Sequence, residues 1–181
     1  MPTAGTASAA SGVISLVLLT ASLVLGVAVG QRRWLPAPTR YPSRKLHEYT
    51  SVLALCFLAL HILAAVAGPF GRVPLTAVFI PFVPAPGQFW LGLGTVSSDL
   101  LAAVVLTSLL RRRIGRRAWR LVHWTSYACW PAAEAHSLGL GAGMRSGRLL
   151  DLAVACATAV VAAVCWRLRT GRARRRLGAG A

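Results

Sequence analysis

The sequence predicts an all-α integral membrane protein, a bundle of about five transmembrane helices with the N-terminus outside and the C-terminus in the cytoplasm. Three observations lead there. Of 181 residues 56% are hydrophobic and only 13% are charged, against about 25% charged in a soluble domain. The apolar residues fall into long uncharged runs, and the basic residues cluster in the segments between them. A water-soluble globule is excluded by the first observation, and the clustering argues for cytoplasmic membrane loops rather than a nucleic-acid surface, although 20 Lys and Arg against 4 acids give a net charge of +16.

A membrane-spanning helix needs about 20 mostly apolar residues. Five segments meet that length: 12–30, 46–67, 89–110, 119–141 and 149–166. No basic residue precedes the first run and Arg32 and Arg33 follow it, so it reads as an uncleaved helix behind a short outer tail, 1–11. Between the second and third runs, Pro69, Pro74, Pro81, Pro84 and Pro86 interrupt an apolar stretch. That loop is too broken to span, and is expected at the interface or capping the bundle, because lipid cannot satisfy irregular backbone. After the last run, 167–181 forms a basic tail suited to anionic lipid at the cytoplasmic face.

Alternating the loops between two sides places Arg32, Arg33, Arg40, Arg44, Lys45, the arginines at 111–113, 116, 117 and 120, and those of the tail together. Arg72, Arg145 and Arg148 fall opposite. Basic residues favour the cytoplasmic side, which fixes the orientation and predicts a multi-pass protein of the plasma membrane. Trp34, Trp90, Trp119 and Trp166 lie near the span ends, where an amphipathic ring suits the interface. Cys56, Cys129, Cys156 and Cys165 all lie in apolar runs without a C-x-x-C motif, and read as small core residues.

The chemistry-bearing residues are the histidines. All four fall in two of the five spans: His47 and His61 in the second, His123 and His136 in the fourth. An ionisable group inside a span is costly and marks a functional site by default. Fourteen positions separate His47 from His61, which is about 40° short of four turns and about 21 Å along an axis, so both share one face. His123 and His136 are thirteen apart, about 140° out of phase on an ideal helix. Something must bend, and Pro131 between them is the expected kink.

Spans two and four run in the same direction, so the natural pairs are His47 with His123 at the cytoplasmic level and His61 with His136 at the outer level. Two imidazoles facing each other across a bundle hold a haem by both axial positions, and a six-coordinate haem favours electron transfer over substrate chemistry. One metal bound by all four is excluded by the distance between levels. A proton relay through the histidines, with Glu134 and Asp99, is the other chemistry available.

The stretches Arg44-Lys45-Leu46-His47-Glu48-Tyr49, Leu60-His61, Trp119-Arg120-Leu121-Val122-His123-Trp124 and Ala135-His136 resemble the ferric reductase-like transmembrane domain family over roughly 44–141. That family includes ferric reductases, NADPH oxidases and the haem-bearing membrane subunit of the bacterial periplasmic methionine sulfoxide reductase. The resemblance implies two b-type haems stacked across the membrane, with these histidines as axial ligands to iron. The chain departs from it in having one span fewer than many members. Only residues 167–181 follow the last span, and the glycine-rich stretches 92–94 and 139–143 do not complete G-x-G-x-x-G, so no FAD or NAD(P)H site is expected in the chain.

Electrons are therefore expected from a separate donor, a cytoplasmic flavoprotein or membrane quinol, and are expected to reach an outer-face acceptor such as ferric iron or a partner reductase. Arg44, Lys45 and Arg120 are candidates to pair with haem propionates inside, Arg72 and Arg145 outside. Glu48 and Glu134 are candidates to orient an imidazole, although adjacent residues point to different sides of a helix, which weakens the case for Glu48. Asp99 is expected to bond a neighbouring helix, and Asp151 to reach interfacial water or Arg148. Two further readings carry different expectations: a haem-free accessory membrane protein, and the quinol-oxidising membrane subunit of a periplasmic methionine sulfoxide reductase.

Overall fold

The computed structural model describes residues 3–31, 38, 40–68, 73–141 and 143–178, with the side chains of 3, 4, 40 and 172–178 left undescribed. Arg32, Arg33, Trp34, Pro69 and Arg72, which the sequence reading uses, lie outside the described residues.

The described chain is helical: α1 (Thr3–Gly30), α2 (Arg40–Ala67), a short 3-10 turn (Leu75–Val78), α3 (Gln88–Leu109), α4 (Arg111–His123), α5 (Ser126–Leu140) and α6 (Gly147–Gly178). Four segments are long and apolar enough to cross a membrane: Gly5–Gly30, Tyr41–Ala67, Gln88–Leu109 and Gly147–Gly171. α1 begins inside the expected outer tail, and α6 runs on through the basic tail as helix. In hydrocarbon the backbone groups must be satisfied within the segment, which favours continuing a helix through its ends.

The expected fourth span, 119–141, is not one helix. It breaks at Trp124 and Thr125, between α4 and α5. Thr125 N–H bonds Val122 O at 2.9 Å and Tyr127 N–H bonds Trp124 O at 3.1 Å, which are tight three-residue turns. Thr125 Oγ1 and Ser126 Oγ donate back to Val122 O and His123 O, a side-chain competition that bends helices. Pro131, the expected site of a kink, lies inside α5, and the helix assignment is interrupted several residues before it. Ahead of it, Gly115 at φ 81 and ψ 162 interrupts α4, a conformation that only glycine adopts without strain.

α1 is the organising helix. α2 runs antiparallel along its length and makes no extended contact with α3, α4, α5 or α6. On its other side α1 packs with α5 and α6 through two buried clusters, Leu16, Met144 and Ala153, and Trp130, Cys156 and Val160. Trp130 Nε1 donates to Thr20 Oγ1 at 2.8 Å, so the one polar atom of that ring is satisfied inside the apolar layer. α3 packs against α5, locked by Ser97 Oγ donating to Cys129 O at 3.0 Å.

The proline-rich loop folds back on α3. Thr95 Oγ1 donates to Ala77 O at 2.5 Å, Ala77 is buried, and the Phe82 ring occupies the space a side chain at Gly92 would need. Phe82 itself is at φ 62, a left-handed conformation that is strained for a bulky residue. Docking of its ring against the bare backbone of Gly92 offsets that strain.

Candidate functional site: two facing histidine pairs

α2 makes no extended contact with α4 or α5, yet its two histidines lie opposite one histidine of each, His47 opposite His123 of α4 and His61 opposite His136 of α5. The imidazoles of His47 and His123 have centroids 6.5 Å apart at an interplanar angle of 80°, and those of His61 and His136 are 6.1 Å apart at 87°. The interruption at Trp124 and Thr125 and the proline at 131 both fall within the thirteen residues that separate His123 from His136.

Each separation suits a single bridging ion. A five-membered ring with bonds of about 1.35 Å has its atoms about 1.15 Å from the centre. An ion bonded at about 2 Å to one nitrogen of each ring then holds the centroids about 6.3 Å apart. Both observed values lie within a few tenths of an ångström of it. Among the described residues no group of three or more His, Cys, Asp or Glu side chains converges on one point, so an ion between either pair would have two ligands from these residues.

Three of the rings are oriented by backbone. Nδ1 of His47 lies 2.9 Å from Ser22 O, Nδ1 of His61 2.8 Å from Ser8 O, and Nδ1 of His136 2.9 Å from Trp90 O. A carbonyl oxygen only accepts, so Nδ1 carries the proton in each case. The lone pair is left on Nε2, the tautomer a metal ligand needs. Each carbonyl is followed four residues later by a glycine. A side chain at Gly12 would meet His61 at 2.8 Å, one at Gly26 would meet His47 at 3.2 Å, and one at Gly94 would meet His136 at 2.5 Å. The helix offers a carbonyl to bond and a bare patch one turn on for the ring to rest against.

The Trp90 ring in turn lies over Gly139 of α5, so α3 and α5 exchange an aromatic side chain for a glycine in both directions. His123 differs from the other three: its Nδ1 is buried without a hydrogen-bond partner, and its ring is stacked on Trp119 at 4.9 Å and 28°. Two tryptophans expected as interface anchors are thus parts of the histidine sites.

The supporting residues are placed differently from expectation. Glu48 does not reach an imidazole; it is ion-paired to Arg44 at 3.1 Å and Lys45 at 3.2 Å on the protein surface. Glu134 is buried with Oε2 unpartnered, and the acceptor for His136 is Trp90 O instead. Arg145 caps α5 by donating to Leu138 O at 2.6 Å and Gly139 O at 3.1 Å, where a cation also complements the helix C-terminus. Arg120 is exposed, beside Leu121 and Trp124.

Asp99 is exposed and makes no hydrogen bond or ion pair among the described residues, and Asp151 is also exposed. Cys129 and Cys156 are buried as expected of core residues, whereas Cys56 and Cys165 lie on the outside of the bundle. Arg167, read from sequence as part of the tail, reaches into the fold instead. Its Nη1 donates to Tyr127 Oη at 3.0 Å and its guanidinium lies 5.1 Å from the Trp124 ring, a cation over an aromatic face.

No curated protein and no solved structure matches the chain. A family described as "Ferric reductase like transmembrane component" matches residues 11–133, taking in α1 to the middle of α5 and three of the four histidines. That range starts earlier than the resemblance read from sequence and stops short of His136, whose place in the site rests on the geometry above. With about two thirds of its length matched and a helical membrane bundle to hold the matched part, the chain belongs to the ferric reductase-like transmembrane component family.

Proposed function

We propose that the chain is a transmembrane electron-transfer protein that holds two b-type haems, one between His47 and His123 and one between His61 and His136. The observation that carries this reading is the matched pair of centroid separations, 6.5 and 6.1 Å, each the span of two imidazoles sharing one iron. Haem would supply the one-electron chemistry when bound. The residues of the chain set the two levels about 21 Å apart and keep Nδ1 protonated at three of the rings.

In this reading the His47–His123 level lies at the cytoplasmic side of the plasma membrane and the His61–His136 level outside, which the clustering of basic residues supports. Electrons enter from a separate donor, a flavoprotein or quinol, and leave to an outer-face acceptor such as ferric iron or a partner reductase. Arg120 stands at the cytoplasmic level with its guanidinium unpaired among the described residues, and is the better placed propionate partner; Arg44 is already engaged by Glu48.

The test is a set of four alanine variants read by visible spectroscopy. His47→Ala and His123→Ala should remove one spectral component, and His61→Ala and His136→Ala the other. Loss of one component by a cross pair such as His47 and His136 contradicts the pairing. Variants that leave a colourless wild type unchanged favour a haem-free accessory role.

A further inference from the structure

The holding device repeats. On α1, the two carbonyl and glycine sets, Ser8 with Gly12 and Ser22 with Gly26, are fourteen residues apart, the same interval as His61 from His47 on the antiparallel α2. On α3 the set for His136 is Trp90 with Gly94. Fourteen residues further along α3 stand Val104 and Ser108.

There the device is replaced. Residue 108 carries a side chain, whose hydroxyl donates to Val104 O at 2.6 Å, so that carbonyl already has a side-chain partner. His123 Nδ1 correspondingly has none. In the place of the glycine patch is Trp119, one turn before His123 on α4. Its Nε1 donates to Ser108 Oγ at 3.1 Å while its ring stacks on the imidazole. A chain of contacts therefore runs from Val104 O through Ser108 and Trp119 to the His123 ring.

We propose that Trp119, tethered by Ser108, is the positioning residue for His123, doing by stacking what a backbone carbonyl and a glycine do for the other three histidines. The inference rests on the bis-histidine haem reading. It makes the two haem sites inequivalent. A ring held only by stacking resists tilting but not rotation in its own plane, and an Nδ1–H that donates to no acceptor leaves a less basic ligand than one that does. Among the four axial ligands His123 is thus the one whose orientation depends on side chains rather than on the backbone of a neighbouring helix.

The experiment compares the purified protein with Trp119→Leu, Trp119→Phe and Ser108→Ala. It reads haem per polypeptide, the reduced-minus-oxidised spectrum and the low-spin ferric electron paramagnetic resonance signals. Trp119→Leu is expected to shift or abolish the one haem signal that His123→Ala abolishes, leaving the His61–His136 signal in place as proof that the bundle is folded. Trp119→Phe, which keeps an aromatic face, should restore most of that signal, and Ser108→Ala should shift its g values without losing the haem. If Trp119→Leu moves neither signal, or moves both alike, Trp119 has no specific hold on His123 and the inference is overturned. A wild-type preparation without haem overturns the haem reading itself, and this inference with it.

Discussion

Gly12 of α1 and the His61 imidazole of α2 are so close that a methyl group on residue 12 would lie 2.8 Å from Nδ1. The ring cannot give way cheaply, because the same nitrogen is bonded to Ser8 O at 2.8 Å. At Gly26 the corresponding distance to His47 is 3.2 Å, and at Gly94 the distance to His136 is 2.5 Å. The expected order of damage to the adjoining histidine site is therefore Gly94→Ala, then Gly12→Ala, then Gly26→Ala. Haem per polypeptide measures it, and Gly5→Ala, with nothing within 4 Å, is the control expected to change nothing. An equal effect of all four would show that helix propensity and not contact decides.

The buried hydrogen bond from Trp130 to Thr20 joins α5 to α1. Trp130→Phe removes it while keeping most of the ring, and should cost about 0.6 kcal/mol, the average for such bonds between membrane helices. Trp130→Ala also empties the space between Cys156 and Val160, and should cost about 3–5 kcal/mol. Thermal unfolding in detergent separates the two, and comparable losses would contradict the packing role of the ring.

Carboxylates do not orient the histidines; backbone carbonyls and one tryptophan do. Glu48→Gln and Glu134→Gln should accordingly leave the number of haems and both spectral components unchanged. A selective loss of the His61–His136 component in Glu134→Gln, read by the same difference spectrum, would restore the carboxylate as a ligand-orienting group.

Much of the site was legible in the sequence, for reasons particular to each element. The fourteen-residue interval from His47 to His61 lies on an unbroken helix, so helical phase alone put both rings on one face. The thirteen-residue interval required a departure from straight helix, for which Pro131 was the visible signal. A further interruption falls at Trp124 and Thr125, whose φ of −70 and −65 are ordinary helical values with no glycine or proline to announce them. The adjacent hydroxyls of Thr125 and Ser126 are the available signal.

The orienting groups were harder to read because a backbone carbonyl has no letter in the sequence. What does have one is its companion glycine. Ser8-x-x-x-Gly12 and Ser22-x-x-x-Gly26 repeat at the histidine interval, which marks α1 as the partner of α2. Composition places tryptophans and arginines at membrane boundaries, whereas the contacts of Trp119 and Arg167 come from neighbouring turns and helices that composition does not report.

The near-perpendicular rings, 80° and 87°, make a spectroscopic prediction. If each pair holds a haem with its rings crossed as they are here, the ferric protein should give strongly anisotropic low-spin signals. Rhombic signals from parallel planes would show that the rings reorient when ligating.

Whether the two facing histidine pairs each hold one haem is tested most directly by haem per polypeptide, determined together with the reduced-minus-oxidised visible spectrum, on wild-type protein purified in detergent after expression with ample haem. A low-spin b-type spectrum and about two haems per chain are expected. No haem, or a high-spin spectrum with an open coordination position, would contradict the haem reading.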